Sequence, residues 1–121
     1  MVLVDTSVWV DHLRARDADL AALLEDGLVL MHAFVIGEIA CGYLRDRKRV
    51  LDLLGHLPSA STATDPEVLR FIEVHELSGK GIGYLDAHLL ASVRLAADAA
   101  LWTRDRRLNL VARDLGLAFS R

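Results

Sequence analysis

The sequence is poor in cysteine, in proline and in long apolar runs. Its one cysteine, Cys41, cannot form a disulfide within the chain. No apolar run approaches the roughly 20 residues of a membrane-spanning helix, because a charged residue interrupts every stretch sooner. The chain reaches Asp5 after only three apolar residues, which is too early for the apolar region of a secretory signal. We therefore expect no membrane association and a cytoplasmic location.

The chain also lacks an excess of positive charge. Its 14 basic and 17 acidic residues give a net charge of −3, so the whole molecule has no positive field that would attract nucleic acid. Any surface that binds nucleic acid must be local. Two prolines, eight glycines and no low-complexity segment leave no linker, and 121 residues, 53% of them hydrophobic, suffice for one core. We expect residues 1–121 to form a single domain.

Apolar runs of strand length alternate with helical patterns along the chain. Strands are predicted at residues 2–4, 28–31 and 99–102, with a weaker candidate at 59–64 and a last one at 117–119. Helices are predicted at residues 7–16, 18–26, 33–45, 47–56, 67–78, 84–97 and 105–115. Fully apolar strands alternating with helices indicate a parallel sheet that is covered on both faces. The sequence predicts an α/β fold, a three-layer α/β/α sandwich around a four- or five-stranded parallel sheet.

Two acidic residues come directly after predicted strands. Asp5 follows the first strand, and Asp105 follows the strand at 99–102. In open parallel sheets, the side chains that bind ligands or catalyse reactions lie beyond the carboxyl ends of the strands. Asp5 could instead serve only as the N-cap of the next helix, a role that Thr6 or Ser7 could also fill.

Two further acids stand alone in apolar segments. Glu38 is the only charged side chain between residues 31 and 44, and Asp86 is the only acid between residues 81 and 93. We expect the Glu38 carboxylate to lose hydration there, which is costly unless a cation or partner compensates it. Asp86 could alternatively be a first-turn acid that complements the helix dipole.

Four lone acids are better explained by one shared pocket than by four separate structural roles. Clustered carboxylates repel each other, so a proton or a cation must neutralise them. Oxygen ligands select Mg²⁺ or Mn²⁺ rather than zinc, and the five histidines contain no i,i+3 or i,i+4 pair. A hard divalent ion on carboxylates is suited to the hydrolysis of phosphodiester bonds.

Basic residues cluster at residues 45–49 and around the last of these acids. Arg104, Arg106 and Arg107 flank Asp105 and are expected to contact the phosphates of a nucleic acid beside the metal. The cluster at 45–49 is either a second such surface or a solvated helix face.

The acidic segments, taken in order, resemble the motifs of PIN-domain ribonucleases of the VapC toxin type over nearly the whole chain. The segments that carry the resemblance are Asp5-Thr6-Ser7, Glu38 with Ile39 and Gly42, Asp86 to Ser92, and Thr103 to Leu108. Many members have Ser or Thr shortly before the glutamate, where this chain has Ala33 and Phe34.

The resemblance implies a PIN-like fold and an endoribonuclease that depends on Mg²⁺ or Mn²⁺. It implies an RNA substrate, a cognate antitoxin protein that covers the site region, and a homodimer. The site residues it implies are Asp5, Glu38, Asp86 and Asp105 as catalytic metal ligands, with Thr6 and Thr103 in support.

Two alternatives remain open at the level of the sequence. A phosphoaspartate domain, of the receiver or haloacid-dehalogenase kind, would use Asp5 as nucleophile. The first kind would have paired acids after strand 1 and a lysine after the last strand, and the second kind an aspartate at the position of Ser7; this chain has neither. In a noncatalytic binding module, the acids would be only caps and ion pairs.

Overall fold

Three parallel strands form the centre of the molecule in the computed structural model, which describes residues 1–120. They are β1 (Val2–Val4), β2 (Val29–Leu30) and β3 (Ala100–Trp102). The order in the sheet is β2-β1-β3, so the first strand of the chain is the central one. Helices join consecutive parallel strands, so the carboxyl ends of all three strands lie at the same end of the sheet.

The two remaining predicted strands, at residues 59–64 and 117–119, are each present only as a single parallel bridge. Met31 bridges to Ser59 beyond β2, and Leu101 of β3 bridges to Ala118. Each bridge consists of two backbone hydrogen bonds, and the amide of Met31 donates to the carbonyl of Pro58 at 2.7 Å. The predicted parallel α/β sheet is confirmed, but it has three strands and one bridge beside each outer strand instead of the four or five strands predicted.

Seven helices lie in residues 1–120, one at each predicted position. They are α1 (Thr6–Arg14), α2 (Ala18–Glu25), α3 (Ala33–Cys41), α4 (Arg47–Gly55), α5 (Asp65–Val74), α6 (Tyr84–Leu95) and α7 (Arg106–Asp114). Their ends differ from the prediction by up to four residues, because end positions depend on local caps more than on apolar periodicity.

The start of α5 illustrates such a shift. The Asp65-Pro66 pair predicted a start at residue 67, but the helix begins at Asp65 because Thr64 caps it. The Glu67 amide donates to the Thr64 hydroxyl at 3.3 Å, and the Thr64 amide donates to the Glu67 carboxylate at 2.8 Å. This reciprocal pair satisfies two amides that would otherwise lack partners.

Helices cover both faces of the sheet. All three residues of β1 are buried, and because successive strand residues point to opposite faces, neither face is open to water. This arrangement confirms the three-layer architecture. No helix in residues 1–120 is both long enough and apolar enough to cross a bilayer.

Candidate active site

Asp5 lies at the carboxyl end of the central strand, in the N-cap position of α1. Its side chain makes no capping hydrogen bond to the helix. Instead its Oδ2 accepts hydrogen bonds from the hydroxyls of Ser7 and Thr103, both at 2.8 Å. Asp5 is buried, with 7% of its surface exposed, and the two hydroxyl donors offset part of the loss of hydration. The side chain is therefore oriented by polar contacts rather than used as a cap.

The two hydroxyls that hold Asp5 also join the ends of β1 and β3. The Ser7 hydroxyl accepts the amide of Arg104 at 3.0 Å, and the Thr103 hydroxyl accepts the amide of Asp105 at 3.0 Å. Each hydroxyl thus donates to Asp5 and accepts from the segment that follows β3. Thr103 was expected to support the site, whereas sequence reasoning missed Ser7. Its position two residues after the strand-end acid is the signal that could have found it.

Glu38 lies on the solvent side of α3, with its Oε1 accepting the Thr6 hydroxyl at 2.7 Å. The expectation that this carboxylate loses its hydration is wrong. The apolar residues of α3 bury one side of the helix through Val35 and Ile39, and this leaves Gly37 and Glu38 exposed. Glu38 is accessible to solvent, and Thr6 sets its orientation.

Asp86 occupies the first turn of α6, where its Oδ2 accepts the amide of Gly83 at 3.0 Å. Burial is the main cause that raises the pKa of Asp86, and the bond from Gly83 partly opposes it. The negative charges of Asp5, Asp105 and Glu38 raise this pKa further. Asp5, Asp105 and Glu38 therefore lie near enough to Asp86 for their charges to act on it.

Asp105 is the N-cap of α7, and its Oδ1 accepts the amide of Leu108 at 2.9 Å. The carboxylate is exposed, with Oδ2 available for another contact. Capping and a role in the acidic cluster are thus compatible for this residue, since each uses a different oxygen.

Comparison with known proteins assigns the fold to a family. The family model described as "PIN domain" matches residues 2–114, a range that contains all four acids. The chain belongs to the PIN-domain family. Ribonuclease VapC32 of Mycobacterium tuberculosis, from strains CDC 1551 / Oshkosh and ATCC 25618 / H37Rv, is 48% identical over 120 residues, covering 99% of this chain and 97% of that protein.

Two solved structures share the fold of this PIN domain. FitAcB from Neisseria gonorrhoeae aligns with a TM-score of 0.63 and 21% identity, covering 93% of this chain and 94% of that one. PAE2754 from Pyrobaculum aerophilum aligns with a TM-score of 0.66 and 18% identity, covering 98% and 87%. Family membership decides against the phosphoaspartate and binding-module alternatives.

PIN-domain ribonucleases of the VapC type depend on a metal ion, and the donors at this edge fit a hard divalent cation. The four side chains offer only carboxylate oxygens, and a cation would neutralise the negative charges that Asp5, Asp105 and Glu38 bring near Asp86. No three acids, histidines or cysteines in residues 1–120 form a compact ligand set as they stand. Asp86 and Asp105 each direct one oxygen to a backbone amide, so ligation would use their remaining oxygens.

Two of the five histidines, His32 and His88, are buried and make polar contacts with residues other than the four acids. His32 accepts the amide of Phe34 on Nδ1 at 3.0 Å, and its Nε2 lies 3.0 Å from the Ser92 hydroxyl. His88 contacts the Asp65 carboxylate at 3.1 Å through Nε2. Burial lowers the pKa of His32, and the proximity of His88 lowers it further. These contacts hold α3, α5 and α6 together.

The three arginines that flank Asp105 differ in their surroundings. Arg104 forms ion pairs with Asp11 at 2.6 Å and Asp17 at 2.5 Å, so its charge is already compensated. Arg107 lies across Gly81, where a Cβ would stand 2.6 Å from the arginine Cδ. Arg106 is exposed in the first turn of α7. Of the three, Arg106 and Arg107 are exposed without the ion pairs that Arg104 makes.

Proposed function

We propose that this chain is a metal-dependent endoribonuclease that acts as the toxin of a toxin–antitoxin pair. The observation that carries the proposal is that Asp5, Glu38 and Asp105 lie near enough to Asp86 for their charges to raise its pKa, within the range that the PIN-domain model matches. The ribonuclease name of the relative that matches 99% of this chain supports it.

The site residues we propose are those that the sequence indicates. Asp5, Glu38, Asp86 and Asp105 would hold Mg²⁺ or Mn²⁺, which, when bound, activates water and offsets the charge on the leaving oxygen. Ser7 and Thr103 fix the direction of the Asp5 carboxylate, and Thr6 fixes that of Glu38. These hydroxyls limit the motion of the acids without contributing charge themselves.

Arg106 and Arg107 are proposed to bind the phosphate backbone next to the acids. Both are exposed at the start of α7, one and two residues after Asp105. An arginine fork suits the two free oxygens of a phosphodiester. Arg104 is better described as the residue that ties the segment after β3 to α1, because Asp11 and Asp17 occupy its guanidinium.

We propose RNA and a cognate antitoxin as partners, a homodimer as the assembly, and the cytoplasm as the place of action. The VapC-type relative supports the first two. We also propose that residues 1–121 act as one domain.

The function is tested by RNA hydrolysis with purified protein. Cleavage should require Mg²⁺ or Mn²⁺ and stop in excess EDTA, since carboxylates alone cannot activate water. Glu38→Gln should remove most of the activity while preserving the fold, because the exposed amide keeps the shape and loses the charge that would hold the metal ion. Undiminished cleavage in chelator would overturn the metal mechanism, and a fully active Glu38→Gln protein would remove that residue from the site.

A further inference from the structure

We propose that a groove beside Tyr43 binds a single-stranded segment of the RNA substrate at a distance from the acids. The groove lies where the end of α1 faces the loop between α3 and α4, and it has a volume of about 700 Å³. Tyr43 would stack on a base, and Arg14 and Arg45 would contact phosphates. This inference rests on the proposed ribonuclease function.

Tyr43 is the first observation, because it is 92% exposed. An aromatic ring this open gives up the free energy that burial would supply. Its loop is nevertheless anchored, since the guanidinium of Arg47 donates to the carbonyls of Ala40 and Gly42. Tyr43 is thus held out by a fixed loop, which lowers the entropic cost of stacking a ligand on it.

Charge is the second observation. Arg14 and Arg45 line the groove together with Tyr43, and none of its lining residues within the described part of the chain is acidic. This local positive surface stands out in a chain of net charge −3. An exposed aromatic ring flanked by cations is the combination that binds single-stranded nucleic acid through base stacking and phosphate contacts.

The position of the groove suits a strand that also reaches the acids. Helix α1 begins at Thr6, whose hydroxyl binds Glu38, and ends at Arg14 in the groove. Eight residues of helix at about 1.5 Å each separate the two by about 12 Å. Domains that bind single-stranded nucleic acid cover about 4–16 nucleotides, and a bound strand of that length spans this distance.

The groove also has an apolar wall, which a protein helix could contact. Val10 and Leu13 on this wall are 38% and 36% exposed, whereas Tyr43 is 92% exposed, and the charged residues of the lining, Arg14 and Arg45, are both cations. Charge complementarity therefore favours RNA as the occupant.

The test is the affinity of the full chain for a fluorescein-labelled, unstructured oligoribonucleotide of about 12 nucleotides, measured by anisotropy in EDTA. Tyr43→Ala should raise Kd roughly 5- to 100-fold, while Tyr43→Phe stays within about twofold of wild type because it keeps the ring. Arg45→Ala should reduce the slope of log Kd against log salt by about 0.7. Matched controls are Leu69→Ala and Arg70→Ala, which remove exposed side chains on α5.

Cleavage of a long RNA separates this inference from the proposed function. Tyr43→Ala should raise KM and leave kcat near wild type, since the ring lies away from the acids. If wild type cleaves RNA but Tyr43→Ala binds and cleaves like wild type, the inference is overturned and the function stands. The inference is likewise overturned if Tyr43→Ala weakens only the capture of a co-expressed antitoxin. If wild type neither binds nor cleaves RNA, the proposed function itself fails.

Discussion

At the scale of single residues, Asp5 stands at the start of a helix but does not use its carboxylate to cap that helix. It occupies the N-cap of α1, yet its carboxylate bonds to Ser7 and Thr103 instead of to the helix amides. The first amides of α1 are thus left without this side chain as a cap, which forgoes about 1 kcal/mol of helix stability. What the arrangement provides is a carboxylate with a fixed direction at the strand end.

Ser7→Ala tests the value of that fixed direction. The substitution removes one of two donors to Asp5 and leaves the Arg104 amide without its acceptor. We expect kcat to fall about 10- to 100-fold, the usual effect of losing a group that orients a metal ligand, while the circular dichroism spectrum stays native. Ser92→Ala, which removes a buried hydroxyl that bonds His32 instead, is the control. Equal kcat in the two variants would show that Ser7 has no special part in the site.

Asp86 gives a prediction in terms of pH. Burial, followed by the neighbouring acids, raises the pKa of Asp86 in the folded protein above its unfolded value. The stability that this group contributes is therefore full below about pH 3.9, the ordinary value for aspartate, and is lost as pH rises through the raised pKa. Asp86→Asn in EDTA should melt a few degrees above wild type at pH 7, and the gap should close as pH falls towards 4.

The control for this prediction is Asp98→Asn. Asp98 precedes β3, at the opposite end of the strand from Asp105, and has a φ of 54° that asparagine also tolerates. The measurement is the melting temperature of wild type and of both variants, by calorimetry in EDTA between pH 4 and pH 7. A gap for Asp86→Asn that does not change between pH 4 and 7 would mean that the group does not titrate within the acidic cluster.

The four acids can be singled out in the sequence because each stands alone in an apolar segment or follows a strand. The contacts and the exposure of these acids and of the arginines near them could not be predicted from the sequence. Arg104 pairs with Asp11 across 93 positions of the chain, and local patterns carry no information about such a pair. The exposure of Glu38 depends on which side of α3 packs inward, which an almost uniformly apolar helix leaves undetermined.

At the scale of elements, helix positions follow from periodicity but helix ends follow from single side chains. The predicted start of α5 at residue 67 was wrong because the reciprocal pair of Thr64 and Glu67 determines the first turn. The spacing of Thr64 and Glu67 is visible in the sequence, so this end was predictable in principle.

Thr64→Ala measures the contribution of that cap. Losing the hydroxyl leaves the Glu67 amide without its partner, and we expect the free energy of unfolding to fall by about 1 kcal/mol. Urea denaturation of Thr64→Ala and of Thr62→Ala, a change at an exposed loop position, gives the comparison. A loss of similar size in both proteins would contradict the capping role.

At the scale of the whole molecule, the sheet is small because its strands are short. With two or three residues each, the strands contribute few hydrogen bonds, and the helices on both faces provide most of the apolar burial. Alternation of apolar runs and helices predicted this layering. The reduction of the outer strands to single bridges was not predictable, because it depends on where the backbone approaches the sheet edge.

Metal binding should be visible in the stability of the whole protein. A ligand that binds only the folded state adds about 2.7 kcal/mol at a concentration one hundred times its Kd. We expect Mg²⁺ or Mn²⁺ to raise the melting temperature of wild type by several degrees and that of Asp5→Asn by much less. Scanning calorimetry at matched ionic strength is the measurement. Identical shifts in the two proteins would indicate binding away from Asp5.

The order of strands in the sheet also determines when the enzyme becomes active during its own synthesis. The central strand β1 is translated before β3, Thr103 and Asp105. The hydroxyl that holds Asp5 from the other side comes from a residue 98 positions later. A nascent chain in which residues 103–105 are still inside the ribosome lacks Asp105 and the Thr103 hydroxyl that orients Asp5. We therefore expect the nascent chain to be inactive until the ribosome has released Thr103 and Asp105.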